Sequence, residues 1–142
     1  MTTYLILDTG PLIAALNPHD PLHEWSEEQL RISSSAFITC EAVIAETAYF
    51  LSKWRRGIGV LFKFLEEAPV HFPFSYAQNR IEIRELIEKY SDVPMSFADA
   101  CLVRLSELYP DAPILTLDSD FLIYRRNKNE RLPVLIPKER AE

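Results

Sequence analysis

Short apolar runs alternate along the chain with longer stretches in which apolar positions recur at helical spacing. The runs are Tyr4-Leu-Ile-Leu7, Ala36-Phe-Ile-Thr39, Ile114-Leu-Thr-Leu117 and Val134-Leu-Ile136. Such short, nearly continuous runs predict strands buried on both faces, as in a parallel sheet. Val70 to Phe74 is a further candidate strand, which Pro73 confines to an edge. Helices are predicted from Pro11 in a first turn through Leu12 to Leu16, then over residues 22–31, Glu41–Trp54, Ile58–Glu67, Tyr76–Tyr90 and Ser96–Leu108. Asp120 to Arg125 reads as a short turn or helix. This alternation predicts an α/β three-layer sandwich: a central, mainly parallel sheet of about five strands flanked by helices. Residues 1–142 carry no repeat or linker and are expected to form a single domain.

Composition narrows the chemistry. The three glycines, Gly10, Gly57 and Gly59, cannot spell a phosphate-binding glycine loop, which removes the usual dinucleotide and P-loop readings. Cys40 and Cys101 lie in separate apolar runs and form no CxxC pair, which suits a reducing compartment. His19, His23 and His71 lack zinc-ligand spacing. No apolar run reaches the roughly 18 residues of a membrane helix, and the start lacks the basic region of a signal peptide. A cytoplasmic protein with no membrane association is the expectation. The net charge of −6 excludes a generally basic, nucleic-acid-coating surface. Local basic clusters remain: Lys53, Arg55 and Arg56, and Arg125, Arg126, Lys128 and Arg131. For any one of them plain solvated surface is the simpler reading.

The acidic residues are more informative. Asp8 and Asp118 each directly follow a predicted buried strand, and in open α/β sheets the carboxyl ends of strands line the binding crevice. Each could equally be a helix cap. Glu46 has Ala42, Val43, Tyr49 and Phe50 one helical turn away, so it is expected on or beside the buried face. A carboxylate there needs a cation, a proton, or an ion-pair partner such as Lys53. Asp99 is followed at helical spacing by Leu102 and Val103, although Ser96-Phe-Ala-Asp99 also spells a capping box. If the four acids converge, they repel one another and raise one another's pKa. A hard divalent cation, Mg²⁺ or Mn²⁺, is then the expected companion, and watered Mg²⁺ suits phosphate chemistry.

Four segments together resemble PIN-domain ribonucleases of the VapC type, the toxins of bacterial and archaeal toxin–antitoxin pairs. They are Leu7-Asp8-Thr9-Gly10-Pro11-Leu12-Ile13-Ala14, Val43-Ile-Ala-Glu46-Thr-Ala-Tyr49-Phe-Leu51, Ser96-Phe-Ala-Asp99-Ala100 and Leu115-Thr116-Leu117-Asp118-Ser119-Asp120-Phe121. The resemblance implies that Asp8, Glu46, Asp99 and Asp118 bind Mg²⁺ or Mn²⁺ and catalyse hydrolysis of single-stranded or looped RNA. It implies supporting roles for Thr9, Ser96 and Thr116, with Asp120 as a substitute or helper for the fourth acid. It further implies an antitoxin partner and a homodimer, and it offers the basic clusters as holders of flanking phosphates. A haloacid-dehalogenase-like phosphatase is disfavoured because Gly10 stands where D-x-D needs its second acid. A non-catalytic PIN-like domain that only binds RNA or protein is one rival, and an α/β domain whose acids are only caps is another. Whether the acids face one another separates the last of these from the rest.

Overall fold

The computed structural model describes residues 3–33 and 35–141. In chain order the strands are β1 (Tyr4–Leu7), β2 (Ala36–Ile38), β3 (Val70–His71), β4 (Ile114–Leu115), β5 (Arg125–Arg126), β6 (Glu130–Arg131) and β7 (Val134–Leu135). The helices are α1 (Thr9–Leu16), α2 (His23–Ile32), α3 (Glu41–Leu51), α4 (Gly57–Glu67), α5 (Arg80–Lys89) and α6 (Phe97–Leu108), with 3₁₀ turns at Ser119–Leu122 and Lys138–Arg140.

The main sheet runs β3-β2-β1-β4-β7 and is parallel throughout, with Ile6 opposite both Ile38 and Ile114. Leu5, Ile6, Leu7, Phe37, Ile38, Ile114 and Leu115 are all buried. Helices on both sides explain why these strands carry no polar face. The chain steps outward from β1 through β2 to β3 and then crosses back to β4 on the other side of β1. Right-handed crossovers therefore place α1 to α4 on one face and α5 and α6 on the other, and the contacts among the helices mostly follow that division. The reversal between β1 and β4 is a topological switch point, where α/β sheets open a crevice.

The predicted sandwich and its sheet are present, and several boundaries differ. β3 stops at His71, ahead of Pro73. The predicted helix Tyr76–Tyr90 starts only at Arg80, because residues 75–79 close a turn in which Gln78 N–H bonds Ser75 O and the Asn79 amide donates to Ser75 O at 2.7 Å. α3 ends at Leu51 rather than Trp54, and α4 begins at Gly57 close over that end. A Cβ on Gly57 would lie 1.9 Å from the Leu51 carbonyl oxygen, so only glycine allows this approach. The segment at 125–131 contains an unpredicted antiparallel hairpin, β5–β6, whose loop uses Asn127 and Lys128 at φ 47° and 75°. Cys40 and Cys101, isolated in the sequence, are both buried in the core as free thiols.

Candidate active site

β1 and β4 are neighbours, so the residues that follow them are neighbours too. Asp8 caps α1, its Oδ1 accepting the Thr9 N–H at 2.8 Å, while its Oδ2 accepts the Thr116 hydroxyl at 2.7 Å. The Thr116 oxygen accepts the Asp118 N–H at 3.0 Å, and Asp118 Oδ1 accepts the Asp120 N–H at 2.9 Å. One hydroxyl thus ties the ends of two adjacent strands together. Thr9 faces the other way and donates its hydroxyl to Glu46 Oε1 at 2.7 Å.

Asp99 enters from the first turn of α6. The Ser96 hydroxyl caps that helix by accepting the Asp99 N–H at 3.0 Å. The reciprocal half of the predicted capping box does not form. Instead Asp99 Oδ2 accepts the phenol of Tyr124 at 2.8 Å. Tyr124 is buried between Tyr90 and Phe121, with ring centroids 5.1 and 5.3 Å away, so its hydroxyl is fixed. Glu46 is half-buried, because Tyr49 and Phe50 are exposed rather than packed inside as expected.

Asp8, Glu46, Asp99 and Asp118 all open onto one cavity of about 850 Å³, whose wall also includes Thr9, Ser96 and Asp120. The acids therefore line one cavity and do not act only as caps on separate faces. Burial pushes the Asp8 carboxyl up to about 7, with the charges of Asp99 and Asp118 adding to it and the Thr116 and Thr9 hydrogen bonds opposing it. Asp99 is also raised, first by burial and then by Asp118 and Glu46, against the pull of Tyr124 and Ser96. Burial, then Asp118, raises Asp120. Among the described residues no group of three or more His, Cys, Asp or Glu side chains is drawn together closely enough to enclose a metal ion. The donor set is nonetheless all oxygen and electrostatically crowded, which fits a hard divalent cation and no soft one.

The basic candidates lie elsewhere; none of them lines the cavity. Lys53 sits over the Tyr49 and Phe50 rings, 4.9 and 5.0 Å from their centroids, and makes no ion pair with Glu46. Arg55 and Arg56 are exposed between α3 and α4, and Lys128 and Arg131 are exposed on the hairpin. Arg125 turns its guanidinium onto the carbonyls of Leu122, Ile123 and Tyr124. Arg126 corrects the expectation of a surface cluster. It is buried and donates to Ser106 O, Pro110 O and Glu130, so it anchors the hairpin to α6 and is not available to RNA phosphate. Sequence reasoning missed Tyr124, whose place depends on the turn after Asp118, and Arg140, which reaches the cavity from the turn after β7.

The PIN domain family model matches residues 5–127, and the chain belongs to that family. Among curated proteins it is similar to Ribonuclease VapC26 of Mycobacterium tuberculosis, with 28% identity over 117 residues, 80% of this chain and 86% of that one. Among solved structures it is similar to Mycobacterium tuberculosis VapC20, described as a Sarcin-Ricin loop cleaving toxin, with a TM-score of 0.67 and 18% identity over 78% of this chain and 86% of that one. VapBC2 from Rickettsia felis, solved bound to a DNA fragment from its promoter, gives a TM-score of 0.63 and 18% identity over 96% and 100% of the two chains. No helix among the described residues is long and apolar enough to cross a membrane.

Proposed function

We propose that the chain is an endoribonuclease that hydrolyses RNA phosphodiester bonds with Mg²⁺ or Mn²⁺, and that it is the toxin of a toxin–antitoxin pair. The observation that carries this reading is the meeting of four carboxylates, from β1, α3, α6 and the end of β4, in one cleft at the switch point. Similarity to a protein named a ribonuclease supports the reaction class. The VapBC2 likeness supports an antitoxin partner. A homodimer follows from the family resemblance.

Asp8 and Asp99 would hold the principal ion, with Glu46 and Asp118 completing the pocket. When bound, such an ion lowers the pKa of a water and offsets charge on a phosphoryl oxygen. The chain's own residues set the positions. Among the described residues Asp99 Oδ1, Glu46 Oε2 and Asp118 Oδ2 take no hydrogen bond, while the opposite oxygen of each is pinned by Tyr124, Thr9 or the Asp120 N–H. Each of these three acids therefore keeps one oxygen for the cleft, whereas both oxygens of Asp8 already accept a hydrogen bond, from Thr9 and Thr116, and would meet an ion through their remaining lone pairs. Glu46 and Asp118 would orient the attacking water or hold a second ion. Attack in line with the leaving 3′-oxygen needs no ribose 2′-oxygen and leaves a 5′-phosphate and a 3′-hydroxyl.

Incubation of the purified protein with a mixed RNA pool, with Mn²⁺ or with EDTA, tests this. We expect 5′-phosphate ends that map to discrete sites in Mn²⁺ alone. Cleavage that survives EDTA overturns the metal assignment, and intact RNA under every condition overturns the nuclease. Tyr124→Phe is expected to weaken Mn²⁺ binding by about tenfold, the usual scale for an outer-shell partner. Melting should change little, because only one hydrogen bond is lost; calorimetric titration and thermal scans of the same samples check both.

A further inference from the structure

The cleft is more acidic than its four principal carboxylates. Asp20, Asp120 and Glu139 also line it, and among the described residues the wall has one cationic side chain, Arg140. RNA adds a negative charge at every phosphate. Even two divalent ions would balance only four of the seven carboxylates. A strand entering this cavity therefore needs a positive group of the protein on the wall, and the basic clusters elsewhere do not reach it.

Arg140 is placed by the sheet. It ends the 3₁₀ turn Lys138–Arg140, which follows β7, and β7 is the strand beside β4. The turn therefore emerges at the same strand-end edge as Asp118. It is closed by Arg140 N–H to Pro137 O at 2.9 Å and Ala141 N–H to Lys138 O at 3.2 Å. The side chain is exposed, and its planar fork of donors matches two phosphate oxygens at once. Resting on the nuclease reading, we propose that Arg140 binds a phosphate of the RNA strand beside the scissile one and is a substrate-positioning residue of the cleft. It touches neither Asp8 nor Asp99 by hydrogen bond, and it holds no element of the core.

The full chain carrying Arg140→Ala or Arg140→Lys is compared with the wild type for steady-state cleavage of one mapped RNA at several salt concentrations, for Mn²⁺ affinity by calorimetry, and for melting temperature. Arg140→Ala is expected to raise KM roughly tenfold, the scale of one charge-assisted contact, with kcat little changed. The salt dependence of kcat/KM should fall by about 0.7 in log–log slope, one phosphate contact to a single strand. Arg140→Lys should recover part of the loss. Mn²⁺ affinity and melting temperature should hold. An unchanged KM overturns the assignment. A faster Arg140→Ala enzyme overturns it in another way, since Arg140 would then be a built-in plug of the acid cluster. Loss of Mn²⁺ affinity would overturn it as well, since a guanidinium cannot ligate a cation and Arg140 would then be holding the acid cluster in shape. A wild type that cleaves no RNA removes the nuclease reading and this inference with it, whereas a wild type that cleaves with an unaffected variant removes the inference alone.

Discussion

Asp99→Asn and Asp8→Asn are each expected to lower RNA cleavage by about a thousand-fold or more, while the metal-free protein is expected to melt at the same temperature or higher. The loss follows from the proposed role of the two acids. An ion-held transition state gains several kcal/mol from charge stabilisation, and each 1.4 kcal/mol or so is a factor of ten in rate. The stability gain follows from the site's electrostatics. Both carboxyls are held above the ordinary range, first by burial and then by neighbouring acids, Asp99 and Asp118 for Asp8 and Asp118 and Glu46 for Asp99, so their charged forms are costly in the folded state. Asparagine keeps the shape and removes the charge. At Asp99 the amide oxygen still accepts the Tyr124 phenol; at Asp8 it still accepts the Thr9 N–H that caps α1, while the new NH₂ donates to the Thr116 oxygen in place of accepting from it. Single-turnover cleavage and thermal melting in EDTA measure the two effects on the same preparations. Both variants cutting at the wild-type rate would remove the acids from the chemistry. Both melting far below the wild type would show the carboxylates to be structural caps first.

The sheet tolerates this crowding because the apolar residues beneath it are well buried. Ile6, Leu7, Ile114 and Leu115 are fully enclosed, and each contributes about 2 kcal/mol on burial. The same burial explains what was legible in the sequence. Continuous apolar runs fix strands, and a strand's end fixes the residue after it, so Asp8 and Asp118 belong to one edge on sequence grounds alone. Ser96 and Asp99 were legible from helix-start chemistry. Asp99's true partner was not, since Tyr124 is set by the turn after Asp118, where its N–H bonds Asp120 O at 3.0 Å, and by packing on Tyr90 and Phe121, contacts between segments far apart in the chain. Glu46 was legible as a residue at the edge of the buried face of α3, but the exposure of Tyr49 and Phe50 beside it was not foreseen, because helical periodicity alone does not say where a neighbouring element ends. Arg126 shows the limit for charge clusters. Adjacent arginines look alike in sequence, yet one faces carbonyls buried at the end of α6 and the other the loop before it.

In EDTA the protein is expected to lose stability as pH rises, the reverse of an acid held in an ion pair. Asp8 has a carboxyl pKa of about 7 when folded, against an ordinary 3.8 when the chain is unfolded. Between those values the folded protein keeps a proton that the unfolded chain has released. Stability is therefore greatest at the acid end of the window, falls as pH climbs from about 4 to about 7, and levels off above it. Asp8 alone corresponds to a loss on the order of 4 kcal/mol across the window, and Asp99, raised in the same direction, adds to it. In a chain of this size that is a fall in melting temperature of roughly 10 °C. Mn²⁺ should reverse the trend. It binds deprotonated carboxylates, so at fixed concentration its stabilisation grows with pH as the acids release their protons. Melting scans at half-unit steps from about pH 4.5 to about pH 8, with EDTA and with Mn²⁺, should give curves that diverge towards alkaline pH. Asp8→Asn should flatten the EDTA curve. A wild-type EDTA curve that rises with pH, or one that the variant leaves unchanged, would mean that burial and the neighbouring acids do not hold the Asp8 carboxyl above its ordinary range. Without that strain, the cluster would have no reason of its own to recruit a cation.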